Sequence, residues 1–138
     1  MHMMRDRESQ ARRLSRWVLG ALYAASGVLH LMAPAGFLLI TPTWVPSPHL
    51  VIAATGLCEI VGAVGLQIPL LRRAAGIGLA LYAVCVFPAN IQHALHGLPP
   101  GYPQLSWWYH GPRLALQPVL VWWALFAGVV VTWPFRRA

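Results

Sequence analysis

The chain has 138 residues, 58% of them hydrophobic and only 9% charged, with a net charge of +7 and a mean hydropathy of +0.59. A soluble domain is typically about a quarter charged, so too few polar residues remain to clothe a water-facing surface, and a soluble domain with buried core helices is disfavoured. All ten basic residues are arginines that flank apolar stretches; a nucleic-acid surface would need them gathered on one folded face.

Arg5, Arg7, Arg12, Arg13 and Arg16 open the chain. The first predominantly apolar stretch follows at 14–32. It is long for the apolar region of a signal peptide, and Pro34 stands inside the only small-residue cleavage pattern, Ala33-Pro-Ala35. Further apolar stretches occupy 49–68, 74–95 and 112–133. Each has the roughly 17–25 residues needed to cross a bilayer's hydrocarbon core. The uncharged, proline-rich connection from Pro34 to Pro48 predicts a short interfacial helix at Gly36–Ile40, with Trp44 as a headgroup anchor.

The short link Pro69-Leu-Leu-Arg-Arg73 makes the second and third stretches antiparallel neighbours. Arg72 and Arg73 in that link, with Arg136 and Arg137 after the last stretch, put both termini and the middle loop on the cytoplasmic side. These arginines are expected to meet anionic headgroups. The expected fold is an all-α membrane protein: one domain over 1–138, a four-transmembrane-helix bundle with both termini cytoplasmic and a short interfacial segment between helices 1 and 2. Gly20, Gly27, Gly56, Gly62, Gly65, Gly76 and Gly78 mark close helix contacts. Pro88 and Pro118 free the carbonyls of Val84 and Leu114 as acceptors. Cys58 and Cys85 both fall near mid-membrane and read as packing residues.

Past residue 8 there is one acidic residue, Glu59, inside the apolar run from Val51 to Leu66. A carboxylate at that depth costs roughly 2.5–3.5 kcal/mol on insertion scales, so it calls for a partner or a role. The predicted topology brings His30, Asn90, His93, Arg113 and Gln117 to the outer half of the same bundle. Ser26 with His30 and Arg113 with Gln117 are spaced i, i+4, and Asn90 with His93 i, i+3, so each pair shares a helix face. A polar pocket is expected with its floor at Glu59, paired to Arg113 or His30, and its rim at His30, His93 and Arg113. His49, His96 and His110 read as ordinary interfacial residues. His30, Glu59 and His93 could in principle hold Zn or Fe, but Glu59 lies too deep for the two imidazoles, so no metal site is expected.

The chain resembles the DoxX family of small four-helix membrane proteins. The resemblance rests on Gly27-Val-Leu-His30, the Phe37 to Pro48 segment with its Pro-Thr-Trp-Val-Pro core, Gly56-Leu-Cys-Glu59, Pro69-Leu-Leu-Arg-Arg-Ala74, Val86-Phe-Pro-Ala-Asn-Ile91 and Arg113-Leu-Ala-Leu-Gln117. It implies a multi-pass protein of the bacterial inner membrane with recurring positions at His30, Glu59, Pro88, Asn90, Arg113 and Gln117. Relatives in that family include a subunit of a thiosulfate:quinone oxidoreductase and a member of a membrane-associated thiol-redox complex.

The expected function is therefore a quinone- or thiol-linked oxidoreductase component. Glu59 and His30 would carry protons, and Asn90, His93, Arg113 and Gln117 would bind ligand. The cofactor is left open, with a quinone as the candidate, and the bilayer, a small lipophilic ligand and a soluble or membrane redox partner are the expected partners. No Cys-x-x-Cys, flavin fingerprint or paired haem spacing makes the redox chemistry explicit. A non-catalytic binding or transport module, or a structural subunit, for a small lipophilic or anionic ligand is the alternative.

Overall fold

The computed structural model describes residues 2–134, with side chains from Gln10 onward. Arg136, Arg137 and the side chains of Arg5 and Arg7, used above for sidedness, lie outside the described residues. The described chain is helical, with five helices: α1 His2–Met32, α2 Pro34–Ile40, α3 Pro48–Gln67, α4 Arg72–His96 and α5 Trp107–Ala127. Among the described residues there is no strand.

Prolines set most of the boundaries. Pro34 keeps Ala33 out of the helical region (φ −134°, ψ 58°), and α1 and α2 meet at a 92° bend. The expected short helix at 36–40 is thus α2, started two residues earlier by Pro34 in the first turn. Pro48 opens α3. Pro69 likewise makes Ile68 extended (φ −88°, ψ 116°) and ends α3. α4 ends at Gly97, whose positive φ of 69° suits a residue without a Cβ. Pro88 and Pro118 do not break their helices: α4 and α5 run through them.

By length and composition α3 and α4 can cross a membrane, and the bent pair α1–α2, counted from Gln10, makes a third candidate. The expected fourth span, 112–133, overlaps α5 but is displaced. The helix begins at Trp107, because Ser106 supplies the extended residue before it, and it stops at Ala127. Gly128 there closes onto the backbone of Gly76, and Val129 takes a positive φ of 61°. The aromatic and polar residues from Trp107 to Gln117 make the first half of α5 less apolar than α3 or α4.

The four long helices pack antiparallel in sequence-adjacent pairs. Gly27 crosses Gly56 between α1 and α3, Gly62 and Gly65 receive Leu79 and Ala75 of α4, and Gly76 meets Ala124 and Gly128 of α5. Such small-residue contacts let backbones approach where lipid offers no hydrophobic drive. Gly78, expected among them, faces open space.

The tight core, around Leu19, Tyr23, Leu66, Leu79 and Ala124, lies toward one end. Arg16, 8% exposed, caps α5 there by donating Nη1 to Ala127 O at 3.2 Å, and Arg72 Nε donates to Leu66 O at the end of α3. Trp123 Nε1 donates to Ser15 Oγ at 2.5 Å. Arg16 and Arg72 thus satisfy carbonyls left over at helix C-termini, where the sequence had suggested headgroup contacts. Large apolar side chains such as Leu81, Leu70 and Trp108 are exposed.

Candidate functional site

Away from the arginine end the helices part around a cavity of about 590 Å³. α1, α3, α4 and α5 each send polar side chains into its wall, and α2 with the following loop covers it through Phe37, Ile40 and Val45. Trp44 Nε1 donates to Gln92 Oε1 at 3.0 Å, which ties that loop to α4. A second recess, against Arg13 and Trp17, is a shallow groove on α1 alone.

The polar groups fall into two clusters on the wall. The first surrounds Glu59, which is 4% exposed. Ser26 Oγ donates to Glu59 Oε1 at 3.1 Å, His30 Nδ1 lies 3.1 Å from Oε2, and Tyr82 lines the same part of the wall. His30 Nδ1 also faces Ser26 O at 2.8 Å. A carbonyl oxygen only accepts, so the ring carries a proton on Nδ1. Phe37 stacks on the imidazole, with ring centroids 3.7 Å apart, and fixes its plane. Tyr23 packs edge-on against Tyr82 at 6.2 Å. The close α1–α3 crossing at Gly27 and Gly56 is what brings Ser26 and His30 within reach of Glu59.

The second cluster is built on Arg113. Its Nη2 donates to Asn90 Oδ1 at 2.6 Å and its Nη1 to His93 Nδ1 at 2.8 Å. Asn90 Nδ2 donates in turn to Gln117 Oε1 at 3.1 Å, and Gln117 Nε2 to Ala83 O at 2.7 Å. A guanidinium only donates, so His93 Nδ1 must accept, and the ring here is neutral with its proton on Nε2. The chain Arg113–Asn90–Gln117–Ala83 spends each amide in both directions and holds the guanidinium in one orientation. The acceptor used is Ala83 O; among the described residues no side chain bonds Val84 O or Leu114 O, the carbonyls that Pro88 and Pro118 free.

His30, Glu59, Asn90, Arg113 and Gln117 all line the cavity, so the structure brings five of the six expected site residues together. Glu59 pairs with His30, one of its two expected partners, and Arg113 belongs to the other cluster. His93 is not part of the wall: it stands behind Arg113, 4% exposed, against His110 at 4.9 Å between ring centroids. His110 was read as interfacial but is buried at 3% exposure; His49 and His96 are exposed.

Sequence reading missed Tyr23 and Tyr82. The signal was present, since Tyr23, Ser26 and His30 follow i, i+3, i+7, as one helix face does. Among the described residues no three His, Cys, Asp or Glu side chains gather in a metal-binding group. Cys58 and Cys85 are free and exposed, and Cys85 also reaches the cavity wall.

Residues 19–128 match the family described as Domain of unknown function (DUF8561), and the chain belongs to that family. No curated protein and no solved structure matches the chain. The matched segment contains every residue of both polar clusters.

Proposed function

We propose that the protein is a multi-pass inner-membrane binding component of a quinone- or thiol-linked oxidoreductase, related to the DoxX proteins it resembles. In this reading all four long helices cross the bilayer and both termini are cytoplasmic. The arginines gathered at one end of the helices, and the exposed Trp107, Trp108 and Tyr109 near the other, support that orientation.

The observation that carries the functional reading is that two preorganised polar clusters face one cavity of about 590 Å³. That volume is within the roughly 300–1,000 Å³ typical of small-molecule sites, which are mostly apolar with a few converging polar groups. A quinone head has two carbonyl oxygens that accept hydrogen bonds and take up protons on reduction. Arg113 would donate to one oxygen, oriented by Asn90 and Gln117. His30, held by Glu59 and Ser26, would exchange a proton at the other, the usual work of an intramembrane Glu–His pair. The apolar wall from Phe37, Val45 and Leu120 would receive the ring substituents.

The test is equilibrium binding of ubiquinone and menaquinone analogues to the purified full chain in uncharged detergent. Binding should weaken roughly tenfold or more in Glu59→Gln, which loses the charge that holds His30. Absence of binding by both forms would reject the quinone reading.

A further inference from the structure

Arg113 carries a full positive charge, and its partners Asn90, His93 and Tyr109 are neutral: two accept hydrogen bonds and the Tyr109 ring lies 5.7 Å from the guanidinium carbon. Glu59 is the only acidic residue whose side chain is described. Its contacts go to Ser26 and His30, and among the described residues Arg113 has no ion pair. A guanidinium offers five N–H donors, and the two bonds above use only two of them. Arg113 itself lines the cavity. A guanidinium that lines a cavity with no anionic partner favours a counter-charge there. The rigid fork of a guanidinium suits an oxyanion in particular.

A second, independent feature is the side of the cavity. The described hydrogen bonds between α1 and the α5 region lie at the arginine end, where Arg12 donates to Val131 O, Arg16 to Ala127 O and Trp123 to Ser15 Oγ. Beyond them the cavity wall passes from Leu22 on α1 to Leu120 on α5. Leu22 lines the cavity and is also 54% exposed. Leu22 thus belongs both to the cavity wall and to the exposed apolar face of α1.

We propose that the cavity admits, sideways from the bilayer between α1 and α5, a single-chain amphiphile with an anionic head, and that Arg113 takes the oxyanion. This rests on the cavity being a ligand site, and it adds a charge preference and an entry route. Glu59 is not needed for it, which separates it from proton exchange with a quinone.

The experiment uses the full chain in nanodiscs of zwitterionic phospholipid, with dodecyl phosphate, dodecanol and inorganic phosphate as probes. Dodecyl phosphate should bind at least tenfold more tightly than dodecanol, and inorganic phosphate should not bind detectably, because it lacks the chain that carries it through the lipid. Arg113→Gln should erase the preference for the phosphate, and Arg113→Lys should retain part of it. Replacing Leu22 with Trp should slow dodecyl phosphate association several-fold without changing the head preference. Equal binding of dodecyl phosphate and dodecanol, or an undiminished preference in folded Arg113→Gln, would overturn the proposal. If the quinone analogues bind while dodecyl phosphate does not, the anion proposal fails and the quinone reading stands. If neither class binds, the cavity is not a ligand site.

Discussion

The α1–α3 crossing makes the Glu59–His30 pair depend on one missing methyl group. A Cβ at Gly56 would lie 2.6 Å from His30 Cβ and 2.8 Å from Gly27 O. Ordinary contact begins near 3.4 Å, so Gly56→Ala must part the helices there by about 0.8 Å, in a packed interior that resists such shifts. Carried to the site, that movement stretches the 3.1 Å His30–Glu59 contact to about 3.9 Å and weakens the electrostatic pairing. Overpacking of this kind costs about 1–3 kcal/mol, against a gain of about 1 kcal/mol for replacing a mid-helix glycine by alanine.

Gly78→Ala is the internal control. A Cβ there meets nothing within 4 Å, so it collects the helix gain alone. Thermal unfolding of the two variants in the same detergent should therefore differ by about 1–3 kcal/mol, roughly 3–15 °C in Tm for a chain of this length, with Gly56→Ala the less stable. Gly56→Ala should also weaken quinone-analogue binding, whereas Gly78→Ala should not. A Gly56→Ala protein as stable as Gly78→Ala would refute the close crossing and the origin of the pair.

In Asn90→Leu, Arg113 Nη2 and Gln117 Oε1 each lose a partner. A loss of about 1–3 kcal/mol in unfolding free energy is expected. Adding Gln117→Leu should cost less than the sum of the two single changes, because one network is being dismantled. Cys58 and Cys85 are both exposed, but only Cys85 borders the cavity. A bound quinone analogue should therefore slow maleimide labelling of Cys85 several-fold and leave Cys58 unchanged, read by mass spectrometry of the labelled peptides.

The sequence carried the long helices well, because apolar length and proline punctuation are local signals: 49–68 and 74–95 differ from α3 and α4 by one or two residues at each end. The end of α5 was not legible. The apolar run continues past Gly128, so hydropathy alone carries the span on to 133, whereas the helix is capped at Gly128 where it packs on Gly76. The residue set of the site was also legible, since a lone Glu in an apolar run and polar pairs at helical spacing stand out. Its division into two clusters was not. That division depends on rotation about each helix axis, which sends Asn90 toward Arg113, and Ser26 toward Glu59. His110 was misplaced for a similar reason: it is near a helix start, as an interfacial residue would be, yet the first turn of α5 folds it against His93. Arg16 looked like a headgroup anchor because sequence does not reveal which arginine will find a helix end to cap.

The central claim, a ligand cavity between the Glu59 and Arg113 clusters, is tested most directly by photo-crosslinking the full chain with an azidoquinone analogue and mapping the modified residues. The account predicts adducts on the cavity walls, at residues such as Tyr23, Thr55 and Val86, competed away by unlabelled quinone analogue and reduced in Arg113→Gln. Adducts confined to outward-facing residues such as Leu81 and Val64, undiminished by competitor, would contradict it.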